Sequence, residues 1–147
     1  MQILVDADAC PVKDIVIEVA VKNQLHVKLV RSFSHFSTEQ FPDGIESVYV
    51  DTGADSVDYR IVQLAQSGDL IITQDYGLAA LGLGKGCRVI HHLGYEFTTK
   101  NIDELLSKRH AHAKLRRSGH KTKGPKKFTE EDRQQFRKLL SSIILHN

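Results

Sequence analysis

Short apolar runs alternate with amphipathic stretches through the first hundred residues. Ile3-Leu4-Val5 predicts a short buried strand that ends at Asp6. Pro11 follows and suits the first turn of a helix, where its missing N–H would be unpaired in any case. Val12, Ile15, Val16, Val19 and Ala20 recur at helical spacing, so this helix should run to about Asn23 with one apolar face. Residues 27–30 read as a second strand and 48–50 as a third, separated by a turn-rich stretch over 32–44 that has no clear period. Val57, Ile61, Leu64 and Ala65 form the next helical face, entered at Asp55, a favoured capping type, and closed by Gly68. Leu70-Ile71-Ile72-Thr73 predicts a fourth strand. Tyr76 to Leu83 predicts a small helix stopped by Gly82, Gly84 and Gly86, and Arg88-Val89-Ile90 a fifth strand. Strands alternating with helices imply right-handed crossovers and a parallel sheet covered on both faces.

The last third changes character. A helix is expected from Asn101 to about Arg117, with Ile102, Leu105, Leu106 and Ala113 along one side. Residues 118–127 contain no apolar side chain and should form a solvated loop. Thr129 is a suitable cap for a final helix over about 129–145, whose Phe136, Leu139, Leu140, Ile143 and Ile144 would pack back on the body. The 147 residues correspond to about one domain. The expectation is therefore an α/β fold in three layers, α/β/α, with a mainly parallel central sheet of about five strands and a C-terminal helical extension.

Composition removes whole classes. With 41% hydrophobic and 26% charged residues the chain is neither a disordered polymer nor a fibre. Two isolated cysteines, Cys10 and Cys87, suit neither a disulfide framework nor a zinc site. No apolar run is long enough to span a membrane, and the N-terminus lacks the basic and apolar regions of a signal peptide, so the expected compartment is the cytoplasm. The net charge of +2 hides an asymmetry: residues 1–100 carry 8 basic against 13 acidic side chains, and residues 101–147 carry 12 against 5. An acidic body joined to a basic tail suggests a phosphate-bearing partner.

The acids have a pattern. Asp6 and Asp8 stand two apart at the end of the first strand, and on an extended segment they would face the same side. Carboxylates so placed repel unless a cation or proton neutralises them. The structural alternative is that Asp8 caps the helix that Pro11 begins. Asp51 follows the third strand, Asp75 the fourth, and Asp55 and Asp58 lie three apart at a helix start, on one face. In parallel α/β sheets ligands bind beyond the carboxyl ends of the strands, and all six acids fall on that rim. Together they suit Mg²⁺ or Mn²⁺, hard cations that take oxygen ligands; singly, each is an ordinary turn or cap residue.

Other motifs are weaker. Gly82-Leu83-Gly84-Lys85-Gly86 runs from helix to strand and lacks the Lys-Ser/Thr of a phosphate loop. Val16 stands where a Cys-x5-Arg phosphatase needs its arginine, so Cys10 reads as a small buried hydrophobe. His91-His92 has no cysteine near it and reads as a surface or core pair. The stretch from Lys108 to Lys127 is different: it holds nine basic residues, Lys108, Arg109, Lys114, Arg116, Arg117, Lys121, Lys123, Lys126 and Lys127, and no acid. Its bland reading is a solvated linker; its functional reading is sequence-independent contact with phosphates. Phe128 is the one aromatic beside it.

Four blocks, in order, carry a resemblance: Val5-Asp6-Ala7-Asp8-Ala9-Cys10-Pro11, Gly53-Ala54-Asp55-Ser56-Val57-Asp58, the run from Gly68-Asp69 through Thr73-Gln74-Asp75-Tyr76-Gly77-Leu78-Ala79, and Gly124-Pro125 with Asp132-Arg133. Over nearly the whole chain they resemble the bacterial YaiI/YqxD family, uncharacterised in function and placed among PIN-like domains. The wider PIN nuclease pattern has a strand-end Asp, a helix-start Asp and a Thr-x-Asp ligating divalent metal. The resemblance thus implies Asp6, Asp58 (or Asp55) and Asp75 as metal ligands, with Asp8 as an additional acid. A Glu on a middle helix is usual in that pattern; here Glu39 and Glu46 fall in the loop region, and Asp8 or Asp55 would substitute.

The leading expectation is a Mg²⁺- or Mn²⁺-dependent nuclease-like protein acting on RNA, single strands included. Asp6, Asp8, Asp58 and Asp75 would hold the metal, Thr73 would orient Asp75, and the basic segment would grip the backbone. A phosphatase of the haloacid-dehalogenase type, with Asp6 as nucleophile and Asp8 as acid, is the alternative from another enzyme class; Cys10 stands where its motif has Thr or Val. A non-catalytic RNA-binding module of the same fold is the third.

Overall fold

The computed structural model describes residues 1–53, 55–119 and 127–146, with Arg109, His110 and His112 described by their backbone. The elements are β1 (Gln2–Asp6), α1 (Lys13–Lys22), β2 (His26–Ser32), β3 (Ile45–Val50), α2 (Ser56–Leu64), β4 (Leu70–Ile72), α3 (Tyr76–Gly84), β5 (Arg88–His91), β6 (Tyr95–Phe97), α4 (Thr99–Arg117) and α5 (Glu130–Leu145). Two single turns of 3₁₀ helix, Ala7–Ala9 and Phe33–His35, follow β1 and β2.

The sheet has the order β3-β2-β1-β4-β5-β6. The first five strands are parallel and β6 runs antiparallel to β5. The chain works outward from β1 to β3, then returns to lay β4 against the other side of β1. That reversal opens a crevice above the carboxyl ends of β1 and β4, the position at which such sheets bind ligands.

Alternation along the strands sorts side chains into two cores. Ile3, Val5, Leu29 and Ile72 pack with Val12, Ile15, Val16 and Val19 of the α1 segment and with Phe136, Leu140 and Ile143 of α5. Leu4, Val30, Ile71 and Val89 pack on the opposite face with Ile61 of α2, Leu78 and Ala79 of α3, and Ile102 of α4. The result is three layers, with α1 and α5 on one side and α2, α3 and α4 on the other. Both late helices begin with reciprocal caps, Thr98 with Asn101 and Thr129 with Asp132. Arg133 pairs with Asp14 at 2.6 Å and Arg137 with Glu18, which ties α5 to α1.

Several expectations change. The sheet has six strands, because Tyr95–Phe97 folds back on β5; Arg88 grips Glu96 through two hydrogen bonds of 2.9 and 3.0 Å. Pro11 lies in a turn before α1, which starts at Lys13. Asp8 does not cap α1, and it is not on an extended segment, since the chain leaves the strand at Asp6. Gly82 does not stop α3. It lies inside the helix where a Cβ would come within 2.8 Å of Ile71, so it allows helix and sheet to approach. The expected loop over 118–127 falls mostly on 120–126, outside the described residues. No described helix is long and apolar enough to cross a membrane.

Candidate functional site

The site is built around Thr73, 3% exposed, one residue beyond β4. Its hydroxyl donates to Asp6 Oδ2 at 2.9 Å and accepts from the Asp75 amide at 3.0 Å. Asp6 ends β1 on the same sheet face as Leu4, and so looks toward α2 and α3. Asp75 is the N-cap of α3 and accepts from Leu78 N at 3.0 Å. One hydroxyl thus couples a strand-end carboxylate to the start of a helix. Thr73 was expected to orient Asp75; its hydroxyl meets the Asp75 amide and not the carboxylate, and the side chain it holds is that of Asp6.

Beside them opens a hollow of about 340 Å³ lined by Asp8, Ser32, Thr52, Asp55, Asp58 and Asp75 among others. Burial raises the pKa of Asp58 to about 6, helped by the charges of Asp75, Asp6 and Asp55. Burial also raises that of Asp6; the Thr73 bond opposes this, and Asp75 and Asp8 add to it. These carboxylates therefore feel one another as a group. A larger hollow of about 490 Å³ lies at the other rim of the sheet, lined by Gln2, His26 and Glu46 among others, and gathers no comparable set of charges.

Asp55 stands at the N-cap position of α2 but does not cap it. Its backbone is left-handed, φ 64° and ψ 8°, and its side chain makes no capping hydrogen bond. For a residue other than glycine this conformation is strained, and Asp tolerates it better than most. Both carboxylate oxygens of Asp8 accept from Ser32 N, at 3.1 and 3.2 Å, and one lies 3.0 Å from His35 Nδ1. Asp8 therefore organises the end of β2 while also edging the hollow. Asp51 is exposed and does not line it. Glu46 lies on β3 near Lys28, and Glu39 in the exposed stretch that precedes β3; neither enters the acidic hollow.

His91 Nδ1 accepts from Leu93 N at 2.9 Å, and burial, with the neighbouring His92, depresses its pKa to about 4. Cys10 and Cys87 are free thiols, each raised by burial. Of the basic residues, Lys108, Lys114, Arg116, Arg117 and Lys127 are exposed; Lys121, Lys123 and Lys126, and the side chain of Arg109, lie outside the described residues.

An aromatic cluster went unread in the sequence. Phe33 and Phe36 are 54% and 62% exposed and flank Tyr49 at ring distances of 5.6 and 5.1 Å. Tyr49 is fixed by hydrogen bonds between its hydroxyl and the Ser37 backbone. Phe33 begins the turn that Asp8 anchors. The available signal was two aromatics three apart in an otherwise polar loop. Phe128, the expected aromatic, instead packs edge-on to His92.

A family model described as "Uncharacterized BCR, YaiI/YqxD family" matches residues 4–146. The chain belongs to this family. Its relatives include a UPF0178 protein of Bacillus thuringiensis subsp. konkukian, 59% identical over 144 residues that cover 98% of this chain and 99% of the relative. A UPF0178 protein of Bacillus cereus is 59% identical over the same length and coverage. Among solved structures, a mutant form of Rae1 (YacP) from Bacillus subtilis aligns over 99% of both chains with a TM-score of 0.41 and 17% identity.

For this YaiI/YqxD protein the raised Asp58 pKa has a definite sign. The folded form holds the proton more tightly than the unfolded form, so the stability that Asp58 contributes is fully present below the unfolded carboxylate range and is lost as pH rises through about 6. Asp58→Asn should raise the metal-free melting temperature above that pH and flatten the slope. The effect expected is about 1–2 kcal/mol after allowance for solvent screening. Thermal melts across the acid range read it directly; an unchanged slope in the variant would assign the titration elsewhere.

Proposed function

We propose that this protein is a divalent-metal-dependent nuclease of the PIN-like kind acting on RNA. The observation that carries the reading is the placement of Asp6, Asp58 and Asp75 around the β1/β4 crevice, where burial and neighbouring carboxylates make the ionised forms of Asp6 and Asp58 costly. The donors there are carboxylate and hydroxyl oxygens, which fits Mg²⁺ or Mn²⁺. Among the described residues no three Asp, Glu, His or Cys side chains already converge on one point, so the carboxylates would have to draw inward to hold a cation. Asp6, Asp58 and Asp75 would hold it, with Asp8 and Asp55 at the edges. Such an ion supplies an acidified water and charge stabilisation at a phosphate.

The protein's own groups do the remainder. Thr73 fixes one oxygen of Asp6 and the amide of Asp75, which limits the rearrangement needed on binding. Phe33 and Phe36 offer exposed rings on which unpaired bases can stack, a contact single strands provide and duplexes withhold. The basic stretch of Lys108, Arg109, Lys114, Arg116, Arg117, Lys121, Lys123, Lys126 and Lys127 would hold the backbone without reading sequence. The phosphatase alternative fits less well. It needs Asp8 as a proton donor, whereas both Asp8 oxygens accept from Ser32 N.

The test is cleavage of a single-stranded ribo-oligonucleotide by metal-stripped protein resupplied with Mn²⁺, Mg²⁺ or EDTA, with a chromogenic phosphate monoester in parallel. Cleavage of RNA with metal only is expected. RNA binding with no cleavage under any metal would leave a binding module, and ester hydrolysis without RNA cleavage would favour the phosphatase.

A further inference from the structure

A third hollow, of about 280 Å³, opens on the α1 side of the sheet, with Lys13, Asp14, Arg31, Glu39 and Phe41 among its walls. Arg31 and Ser32 are consecutive at the end of β2, so their side chains take opposite faces. Ser32 lines the acidic hollow and Arg31 lines this one. The acidic hollow and this one therefore lie back to back across the last residues of a single strand.

Arg31 is the unusual group. It is 5% exposed, and its Nε is buried with no hydrogen-bond partner. Its guanidinium carbon lies over two aromatic rings, 5.9 Å from the centre of Phe41 and 6.0 Å from that of Tyr49. A buried cation is normally paired with an anion, because burial strips its hydration. Lys13 brings a second cation to the same hollow and donates to Ala7 O at 3.3 Å. The hollow also faces the start of α1, the positive end of the helix dipole, where Val12 provides no side-chain cap. Two acids face it. Asp14 is engaged by Arg133, and Glu39 is exposed at the edge.

We infer that Arg31 and Lys13 form a phosphate-binding subsite that receives the terminal phosphate of a nucleic-acid strand. A planar guanidinium and a flexible ammonium suit a tetrahedral dianion with several acceptor oxygens. The chemistry, a phosphate monoester, stands on Arg31 itself; a strand end as its source rests on the nuclease reading. A strand end seated here would put the chain beside the rim where Asp8, Asp58 and Asp75 stand.

The test is calorimetric titration in EDTA, at fixed ionic strength, of full-length Asp6→Asn protein. The probes are a short ribo-oligonucleotide with a 5′-phosphate, one with a 3′-phosphate, the same oligonucleotide without either, and inorganic phosphate. One phosphorylated form should bind at least about tenfold tighter than the unphosphorylated one, the factor expected of a charge-assisted hydrogen bond, and inorganic phosphate should compete. Lys13→Ala should remove most of that preference, and Arg31→Lys, if it folds, should do the same. Glu39→Gln should increase it. Equal affinity for all oligonucleotides would overturn the subsite, and inorganic phosphate binding without any preference for a phosphorylated end would overturn the strand as its source. Loss of thermal stability in Glu39→Gln, with no gain in phosphate affinity, would show Glu39 to be the partner of Arg31 and also overturn it. Titration without metal separates the two readings. Phosphate binding in a protein that never cleaves RNA would sink the nuclease and leave the subsite, whereas cleavage without end preference would do the reverse.

Discussion

Asp75→Asn protein should lose RNA cleavage by about 10²–10³-fold or more, the cost typical of removing one preorganised charge-stabilising group, and yet fold as well as the wild type. Asn is as good an N-cap as Asp, so the bond from Leu78 N to the side chain of residue 75 survives. What disappears is one negative charge facing Asp6 and Asp58. Asp6→Asn should behave alike, because an amide oxygen still accepts from the Thr73 hydroxyl. Both variants should melt at or above the wild-type temperature in EDTA and below it in millimolar Mn²⁺. The purely structural account of these residues predicts the opposite pattern: full cleavage, or collapse of the metal-free fold. Side-by-side rates and melts of the two variants decide between them.

Gly94→Ala should destabilise the fold by about 3–4 kcal/mol, because backbone strain and overpacking act together there. Gly94 turns the chain between β5 and β6 at φ +89°, a conformation that penalises any Cβ. An added Cβ would also stand 2.7 Å from Gln135 Cγ and 2.8 Å from both Gln135 C and Phe136 N. The last two are backbone atoms of α5, which cannot rotate away, and Phe136 is fully buried. A urea midpoint that falls with an unchanged m-value would show global destabilisation; a reduced m-value would show α5 lifting off. A loss under about 1 kcal/mol would mean that the hairpin and helix are not packed as described.

The legible part of the chain was the part governed by periodicity. Ile3-Leu4-Val5 and Leu70-Ile71-Ile72 are buried on both faces, and such strands declare themselves as continuous apolar runs. The spacing of Phe136, Leu140 and Ile143 likewise marked the face of α5 that meets α1. β6 was missed because three residues give no measurable period, and its pairing depends on the cross-strand contact of Arg88 with Glu96. Topology alone puts the acids beyond the carboxyl ends of the strands, and Asp8, Asp55, Asp58 and Asp75 line one hollow there, whereas Asp51 does not. Their individual roles were not legible. Two-residue spacing misplaced Asp8 because the strand ends at Asp6, and the left-handed backbone of Asp55 leaves no mark in a sequence. Gly82 read as a stop because close helix–sheet approach and helix termination both select glycine. Nothing in the sequence marks Arg31, because its burial comes from tertiary packing.

The most direct test of the acidic site is an electron-paramagnetic-resonance titration of metal-stripped protein with Mn²⁺ at neutral pH, in which only the free ion gives the sharp signal. Saturable loss of that signal is expected in the wild type, with sharply weakened uptake in Asp6→Asn and Asp58→Asn. At 100 times its dissociation constant the ion should add about 2.7 kcal/mol to stability. Free Mn²⁺ throughout the titration, or uptake that is identical in wild type and both variants, would contradict a metal site at the β1/β4 crevice.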